Sequence, residues 1–237
     1  MNLSCKELKR QARETLNQRY GLPMGTYVAS ELIVLAITFP FRYVYQANPG
    51  DLQSVIYHLA VIIISLIATV LSCGLIRIHL DMARGKEKKF ADLFYFFKTK
   101  PDRLILAQLL RMFLWFVLAI PGASCMICYF VFHSDIWIGL TVFFCIAGIA
   151  AICYVSLSFS LVFYFLADNE TISVTAAFRL SMEHMKGSKG RLLYIWLSFT
   201  GMALLGLFSF GIGFLWVSPY MSQTVAVFYR NMIGEVS

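Results

Sequence analysis

Two ionisable side chains stand inside apolar stretches of this sequence, and their types could do chemistry within a membrane. Glu31 and Arg111 each lie roughly 10–12 Å of helix beyond the nearest basic segment, at a rise of about 1.5 Å per residue. Opposite charges at equal depth predict an ion pair, with Arg77 as a competing partner for Glu31. Because a charge inside a bilayer is costly, such residues are candidates for a substrate or proton site. The interpretation that we favour is a pair that holds two helices together, or an Arg111 side chain that extends to the lipid headgroups.

Prolines within the apolar stretches form a second set of candidates. Pro121-Gly122 interrupts one stretch, and Pro219 lies in another beside the polar residues Tyr220 and Gln223. Proline removes a helical hydrogen bond and crowds the preceding turn, so a kink is expected at each site. Transporters build binding sites from such polar, broken helices. Polar groups that satisfy freed carbonyls or bond to neighbouring helices are the commoner explanation.

The sequence carries no recognisable catalytic or metal-binding motif. Nucleophile-elbow, Walker, kinase and His-Glu-x-x-His patterns are missing, and no paired carboxylates have catalytic spacing. His58, His133 and Asp135 lack the spacing of metal ligands. Cys125 and Cys128 form a Cys-x-x-Cys pair inside an apolar helix, which favours packing over redox chemistry. We therefore expect no enzymatic activity, no bound metal and no cofactor.

The composition places these residues in a membrane protein. Of the 237 residues, 59% are hydrophobic and 14% are charged, whereas soluble domains average about 25% charged residues. The apolar residues form uncharged runs longer than the ~20 residues that cross a bilayer as a helix. This excludes a disordered chain, a secreted disulfide scaffold and a soluble nucleic-acid-binding module. We predict an all-α, polytopic membrane helix bundle that forms one integral membrane domain over residues 1–237.

Hydropathy and charge together predict the topology of that bundle. About six transmembrane helices are expected, over residues 27–45, 55–78, 104–132, 136–167, 192–210 and 214–229. The fourth is too long for one upright helix, which predicts tilt, a break or protrusion into water. The last hairpin is short, and a re-entrant hairpin is the alternative there. Lysine and arginine concentrate before residue 24 and within residues 77–103 and 168–191, a pattern that predicts a cytoplasmic side bearing both termini. The same basic segments are expected to attract anionic lipid headgroups.

Three short segments between the apolar runs have the spacing of amphipathic helices, which are suited to the headgroup interface. Their apolar positions are Leu8, Ala12 and Leu16 in the first, Phe90, Leu93, Phe94 and Phe97 in the second, and Val174, Phe178, Met182 and Met185 in the third. The reference positions Leu8, Leu93 and Phe178 are equally spaced along the chain. We predict a threefold repeat of an interfacial helix and a transmembrane hairpin, in units 1–85, 86–170 and 171–237; the alternative is chance periodicity of the hydropathy pattern.

Several short motifs resemble a known family. They are Gly74-Leu75, Ala83-Arg84-Gly85, Phe90-Ala91-Asp92-Leu93-Phe94, Ile120-Pro121-Gly122, Ala177-Phe178-Arg179-Leu180-Ser181, Met185-Lys186-Gly187, Pro219-Tyr220 and Ala226-Val227-Phe228-Tyr229. Together they are similar to the bacterial integral membrane family catalogued as domain of unknown function 975. The resemblance covers nearly the whole chain and implies a bacterial plasma-membrane protein of about six helices. It implies no activity and no catalytic residues.

Two functional hypotheses follow from these observations. The first is a non-enzymatic multi-pass protein of the plasma membrane that organises a partner protein or lipid, with a homo-oligomer as another arrangement. The second is a small-solute or ion permease that uses Glu31, Arg111 and the polar segment around Pro219. No nucleic-acid partner is expected.

Overall fold

The computed structural model describes residues 3–47 and 50–236, and these residues form helices with no strand among them. In chain order the elements are α1 (Cys5–Leu16), α2 (Gly21–Ala47), α3 (Asp51–Ala83), a 3₁₀ helix (Phe90–Phe94), α4 (Tyr95–Lys98), α5 (Pro101–Phe132), α6 (Asp135–Ser158), α7 (Val162–Asp168), α8 (Val174–Met185), α9 (Lys189–Phe208) and α10 (Phe214–Met232). The all-α helical architecture is therefore confirmed. The sequence Asn48-Pro49-Gly50-Asp51, between the first two expected spans, predicts a short turn, and its first two residues lie outside the described part of the chain.

Five segments of the described chain are long and apolar enough to cross a membrane. They are α2, α3, α5, the α6–α7 segment from Asp135 to Asp168, and α9. The sixth expected span is the helix α10, which has 19 residues and is not one of those five. Its second half, residues 223–229, is buried within the protein. The protein is thus a polytopic helical membrane protein with five clear candidate spans and a sixth, more polar helix beside them.

The fourth predicted span contains a break, which is one of the three arrangements that its length predicted. Helix α6 ends at Ser158 and α7 begins at Val162. Ser181 of α8 bridges the interruption, because its hydroxyl donates to the Ser158 carbonyl over 2.8 Å and accepts from the Leu161 amide over 3.2 Å. A side chain from a short helix thereby replaces hydrogen bonds that a continuous helix would supply, which buried backbone groups require.

The hydrophobic core occupies only one end of the bundle, the end that carries the basic segments, which we call the basic end. At about 1.5 Å per residue, α3 is ~50 Å long, roughly 20 Å more than the hydrocarbon thickness of a bilayer. The buried residues of α3 concentrate between Thr69 and Met82. They pack with α7 and with the second half of α10, whereas the other ends of the long helices expose apolar side chains.

The three short segments lie around this core, and each of them packs part of its surface against the bundle. In α1 the expected stripe of Leu8, Ala12 and Leu16 is correct, yet it is fully buried against the bundle instead of facing lipid. The second segment is a 3₁₀ helix followed by one turn of α-helix. Because a 3₁₀ helix has three residues per turn, Leu93 and Phe96 become the buried pair.

Several apolar positions of the second and third segments lie outside the hydrophobic core. Phe90, Phe94 and Phe97 are each more than one third exposed. In α8 the buried stripe consists of Val174, Ala177, Ser181 and Met185, and Met182 is 47% exposed. The predicted spacing assumed an α-helical period, which the 3₁₀ helix does not have. Because exposed apolar side chains are what a lipid-facing helix presents, the interfacial role of these segments stays a prediction.

Gly74 allows the 3₁₀ helix to pack directly on α3. A Cβ atom at this position would lie 2.1 Å from the Leu93 carbonyl oxygen, closer than real contacts allow. Glycine is therefore required for this approach between two backbones.

A short helix followed by two long helical segments occurs three times along the chain, in the order that the predicted repeat requires. The relation of the three sets as copies of one unit stays a prediction.

Candidate functional site at the basic end

The ends of three hairpins meet in a group of charged and polar side chains, which we call the arginine cluster: Arg84, Asp168, Tyr229, Arg230 and Glu235. Arg84 follows α3 and donates to both oxygens of Asp168, with Nη1–Oδ1 at 2.5 Å and Nη2–Oδ2 at 2.9 Å. It also donates to both oxygens of Glu235, at 3.1 and 2.6 Å. One guanidinium therefore joins the ends of α3, α7 and α10.

Two further residues complete the arginine cluster. The Tyr229 hydroxyl donates to Asp168 Oδ2 over 3.1 Å. Arg230 Nε donates to Glu235 Oε2 over 2.9 Å, and its Nη1 donates to the Ala83 carbonyl. Charge-assisted, two-bond contacts of this kind are among the stronger and more directional hydrogen bonds in proteins.

The electrostatics of the arginine cluster favour the charged forms of Arg84 and Glu235. The hydrogen bond from Arg84, assisted by Arg230, holds the pKa of Glu235 below its usual value. Hydrogen bonds to Asp168 and Glu235 raise the pKa of Arg84 above its usual value. Because both carboxylates are occupied by cations, the cluster is arranged to fix helix ends and has no base left free for proton transfer.

A second ion-paired group lies beside the first, around Glu170. The Arg77 guanidinium donates to Glu170 Oε1 over 2.8 Å, and the Tyr95 hydroxyl donates to the same oxygen over 2.5 Å. These bonds, that of Tyr95 first, lower the pKa of Glu170. The Arg77 guanidinium also lies over the Tyr95 ring, 3.8 Å from its centroid. Arg77 thus connects α3 to the short helix α4 and to the loop after α7.

The structure does not bring the predicted intramembrane ion pair together. Glu31 is exposed on α2 and forms no ion pair with any described residue. Arg111 instead donates to Gln108 Oε1 over 2.5 Å and lies 4.7 Å from the centroid of the Phe163 ring. Arg77, the competing partner, is engaged by Glu170. Glu31 stays unpaired within the described chain because each arginine has another partner: Gln108 and the Phe163 ring for Arg111, and Glu170 for Arg77.

The polar segment around Pro219 faces the protein interior. Pro219 and Gln223 are buried in α10. His79 Nδ1 donates to Gln223 Oε1 over 2.7 Å, and Gln223 Nε2 donates to the His79 carbonyl over 3.2 Å. The Tyr220 hydroxyl donates to the Lys9 carbonyl over 3.3 Å. These side chains therefore connect α10 with α3 and α1.

Pro121 and Gly122 lie in α5 where it meets α6. Gly122 is buried, and a Cβ atom there would lie 3.2 Å from Cys145 Sγ. The small residue permits close packing of the two helices of this hairpin, in line with the packing role of glycine in membrane helices. Among the described residues, no group of three His, Cys, Asp or Glu side chains could hold a metal ion.

Sequence reasoning missed the residues of the arginine cluster as a site. Their signal was present, since Arg84, Asp168 and Glu235 each follow the last turn of an apolar helix or close it. Charges at helix ends are ordinary in membrane proteins, so only the spatial arrangement separates these from their neighbours.

Comparisons with known proteins give one result at the level of the family. No curated protein and no solved structure matches the chain. The family model described as "Protein of unknown function (DUF975)" matches residues 1–235. This match agrees with the resemblance in the motifs around Gly74, Arg84 and Pro219. The chain therefore belongs to the DUF975 family of proteins of unknown function.

Proposed function

We propose that this is a non-enzymatic, multi-pass protein of the bacterial plasma membrane that organises a partner protein or lipid. Its basic end lies on the cytoplasmic side in this proposal, with both termini there, since basic segments are retained on that side. The observation that carries the proposal is the contrast between a firmly joined basic end and long helices that expose apolar side chains at the other end.

The joined end supports a role as a rigid base. The arginine cluster, the Glu170 group and the His79–Gln223 pair each connect two or more hairpins. Short helices packed around them add buried apolar contacts. A base of this kind holds the hairpins at fixed positions, as a scaffold needs.

The exposed end supports a role in lateral binding. Within its apolar segment, 6% of the residues of the α6–α7 helix are buried, compared with 17–39% for the other four candidate spans of the described chain. The buried side chains of α6 are Thr141 and Ser158. Among the candidate spans of the described chain, this one has the smallest buried share in its apolar segment, and so its α6 part is free to contact a neighbouring membrane protein or lipid.

The same contacts weigh against the permease hypothesis. Glu31 and Arg111 do not form one site, and Gln223 is occupied by His79. A carrier needs polar groups free to replace the hydration of a solute. Here Gln223 bonds to His79, and one Arg111 nitrogen bonds to Gln108 in the same helix.

The test is gentle isolation of the tagged protein from its native membrane, followed by native mass spectrometry of the intact complex. We expect a stoichiometric protein partner or a defined lipid complement. In the first case, Ile146→Phe with Ile149→Phe should release the partner, because both side chains are 63% exposed and larger ones would disturb a packed interface.

A matched control uses Leu32→Phe with Leu35→Phe on α2, where exposure is 58% and 60%. These substitutions should leave the partner bound. A lone protomer with no defined lipid or protein, together with solute flux in proteoliposomes that Glu31→Gln abolishes, would overturn the proposal in favour of the permease.

A further inference from the structure

A groove of about 360 Å³ lies between α7, α9 and α10, and one of its walls is polar. Tyr164, Trp196, Ser218 and Ser222 supply hydroxyl and indole groups, and Leu192 and Val225 are among the apolar residues that line the rest. The lining residues include no acidic side chain. The groove is distinct from the arginine cluster and from the predicted Glu31 and Arg111 positions.

Ser160 also lines this groove, and its hydroxyl donates to the Leu157 carbonyl over 2.9 Å. The other four polar groups have no partner within the described residues, which sets them apart from Ser160 and from comparable groups elsewhere. The hydroxyls of Thr69, Ser72 and Thr141 each donate to the carbonyl four residues earlier in their own helix. Ser218 and Ser222 make no such bond, and neither the Trp196 indole nor the Tyr164 hydroxyl has a hydrogen-bond partner in the described chain.

Tyr164 is the most informative of the four. Its side chain is buried, with 8% of the residue exposed, and its ring packs 5.5 Å from that of Tyr229. Its hydroxyl has no partner among the described residues and is not fully enclosed by the protein. The hydroxyl is therefore available to donate to an acceptor that a ligand brings into the groove.

The depth of the groove identifies the environment of that ligand. Trp196 lies seven residues after the start of α9 at Lys189, and Ser222 lies ten residues before the end of α10 at Met232. At ~1.5 Å per residue, these positions are roughly 10 and 15 Å from the basic end. Because α3 exceeds the hydrocarbon thickness by roughly 20 Å, this level corresponds to the boundary between headgroups and acyl chains.

We propose that the groove binds one glycerophospholipid, with a phosphate oxygen accepting from Tyr164, Ser222, Ser218 and Trp196. Phosphate oxygens are strong acceptors that neutral donors can hold. The apolar wall at Leu192 and Val225 fits the first part of an acyl chain, which free phosphate lacks. The inference deepens the lipid part of the proposed function and rests on it.

The experiment compares lipid retention by the detergent-purified full-length protein in native mass spectrometry, with phosphatidylglycerol as the probe. The test variants are Tyr164→Phe, which keeps the ring, and Ser218→Ala with Ser222→Ala. Controls are Tyr129→Phe at the opposite end of α5 and Ser72→Ala, whose hydroxyl bonds within its own helix. Thermal unfolding of each variant establishes that it folds as the parent does.

We expect one retained phosphatidylglycerol in the parent and in both controls, and an affinity about tenfold or more weaker in the combined variant Y164F/S218A/S222A. Equal retention by the parent and that variant would overturn the proposal. Displacement of the bound phosphatidylglycerol by millimolar inorganic phosphate would also overturn the proposal, because it would assign the site to free phosphate. Co-isolation of a protein partner tests the proposed function separately, since it does not depend on these hydroxyls.

Discussion

Arg84 and Asp168, which lie 84 residues apart in the sequence, form a two-bond contact between the ends of α3 and α7. Their side chains are 18% and 21% exposed, so the contact is largely shielded from water. It joins the first hairpin to the second at the ends of α3 and α7, beyond which neither helix continues and could add packing contacts.

Arg84→Lys should lower the free energy of unfolding by about 1–2 kcal/mol, because lysine keeps the charge but cannot form the planar two-bond contact. Thermal or denaturant unfolding in detergent measures the change. Arg179→Lys is the control, since Arg179 is 72% exposed and pairs only with Glu183 in its own helix; it should change stability by less than about 0.5 kcal/mol. Equal effects of the two substitutions would contradict a special role for Arg84.

Stability should fall in acidic solution, below about pH 4.5. The pKa values of Glu170 and Glu235 are lowered in the folded protein from an ordinary value of 4.5. Their contribution is therefore complete above about pH 4.5 and is lost as the pH falls through the lower folded values. Unfolding curves measured between pH 3 and 7 should show this loss, and Glu235→Gln should reduce its size. If Glu235→Gln loses as much stability between pH 7 and pH 3 as the parent protein does, Glu235 does not contribute to the pH dependence.

Gly74→Ala should be strongly destabilising, by several kcal/mol or with loss of folded protein, because the new Cβ would collide with the Leu93 backbone. Gly139→Ala is the matched control: Gly139 lies in α6, and a Cβ there meets no atom within 4 Å. Alanine should stabilise that helix by up to about 1 kcal/mol. Folded yield after size-exclusion chromatography, with unfolding midpoints, distinguishes the two results; a tolerated Gly74→Ala would contradict the close approach.

Ser181→Ala removes the group that bridges the break between α6 and α7. It leaves the Ser158 carbonyl and the Leu161 amide without this partner in a buried position, which should cost about 2 kcal/mol. Hydrogen exchange should become faster around residues 158–162, and Ser72→Ala serves as the control. If exchange at the break stays unchanged, water or a neighbouring group replaces the serine without loss.

The proposed orientation is tested by cysteine labelling of intact cells with a membrane-impermeant maleimide. Both Glu87, near the basic end, and Ser134, at the opposite end, are exposed. Ser134→Cys should be labelled in intact cells, whereas Glu87→Cys should react only after lysis. Native cysteines within apolar helices react slowly because their thiolate forms are disfavoured there. The reverse pattern would place the basic end outside.

Much of the architecture could be predicted from the sequence, because the length of an uncharged apolar run indicates where a membrane helix begins and ends. The extents of α5 and α9 follow from it. The uncharged run from 136 to 167 predicted tilt, a break or protrusion, and the structure has a break near residue 160. The buried stripe of Leu8, Ala12 and Leu16 was also evident. Its contact with the bundle was not, since the same spacing suits a lipid surface.

The polar contacts could not be predicted, because a sequence gives depth along a helix but not the direction of a side chain around it. Glu31 and Arg111 have equal depth and opposite charge, yet Arg111 turns toward Gln108 and Phe163. Arg84 has neighbours of both signs nearby in sequence, and its actual partners lie 84 and 151 residues later. Which carboxylates Arg84 contacts depends on how the three hairpins pack together, and the sequence alone does not show that packing.

Those sequence separations impose an order on biosynthesis. At about 5–20 residues per second, Asp168 leaves the ribosome roughly 4–17 s after Arg84, and Glu235 follows roughly 8–30 s after Arg84. The first hairpin therefore enters the membrane with a guanidinium that still lacks both carboxylates. Until the later segments arrive, that nascent hairpin depends on water, lipid phosphates or an insertion factor to accommodate its charge, and a translational pause between the second and third hairpins would prolong the half-paired state.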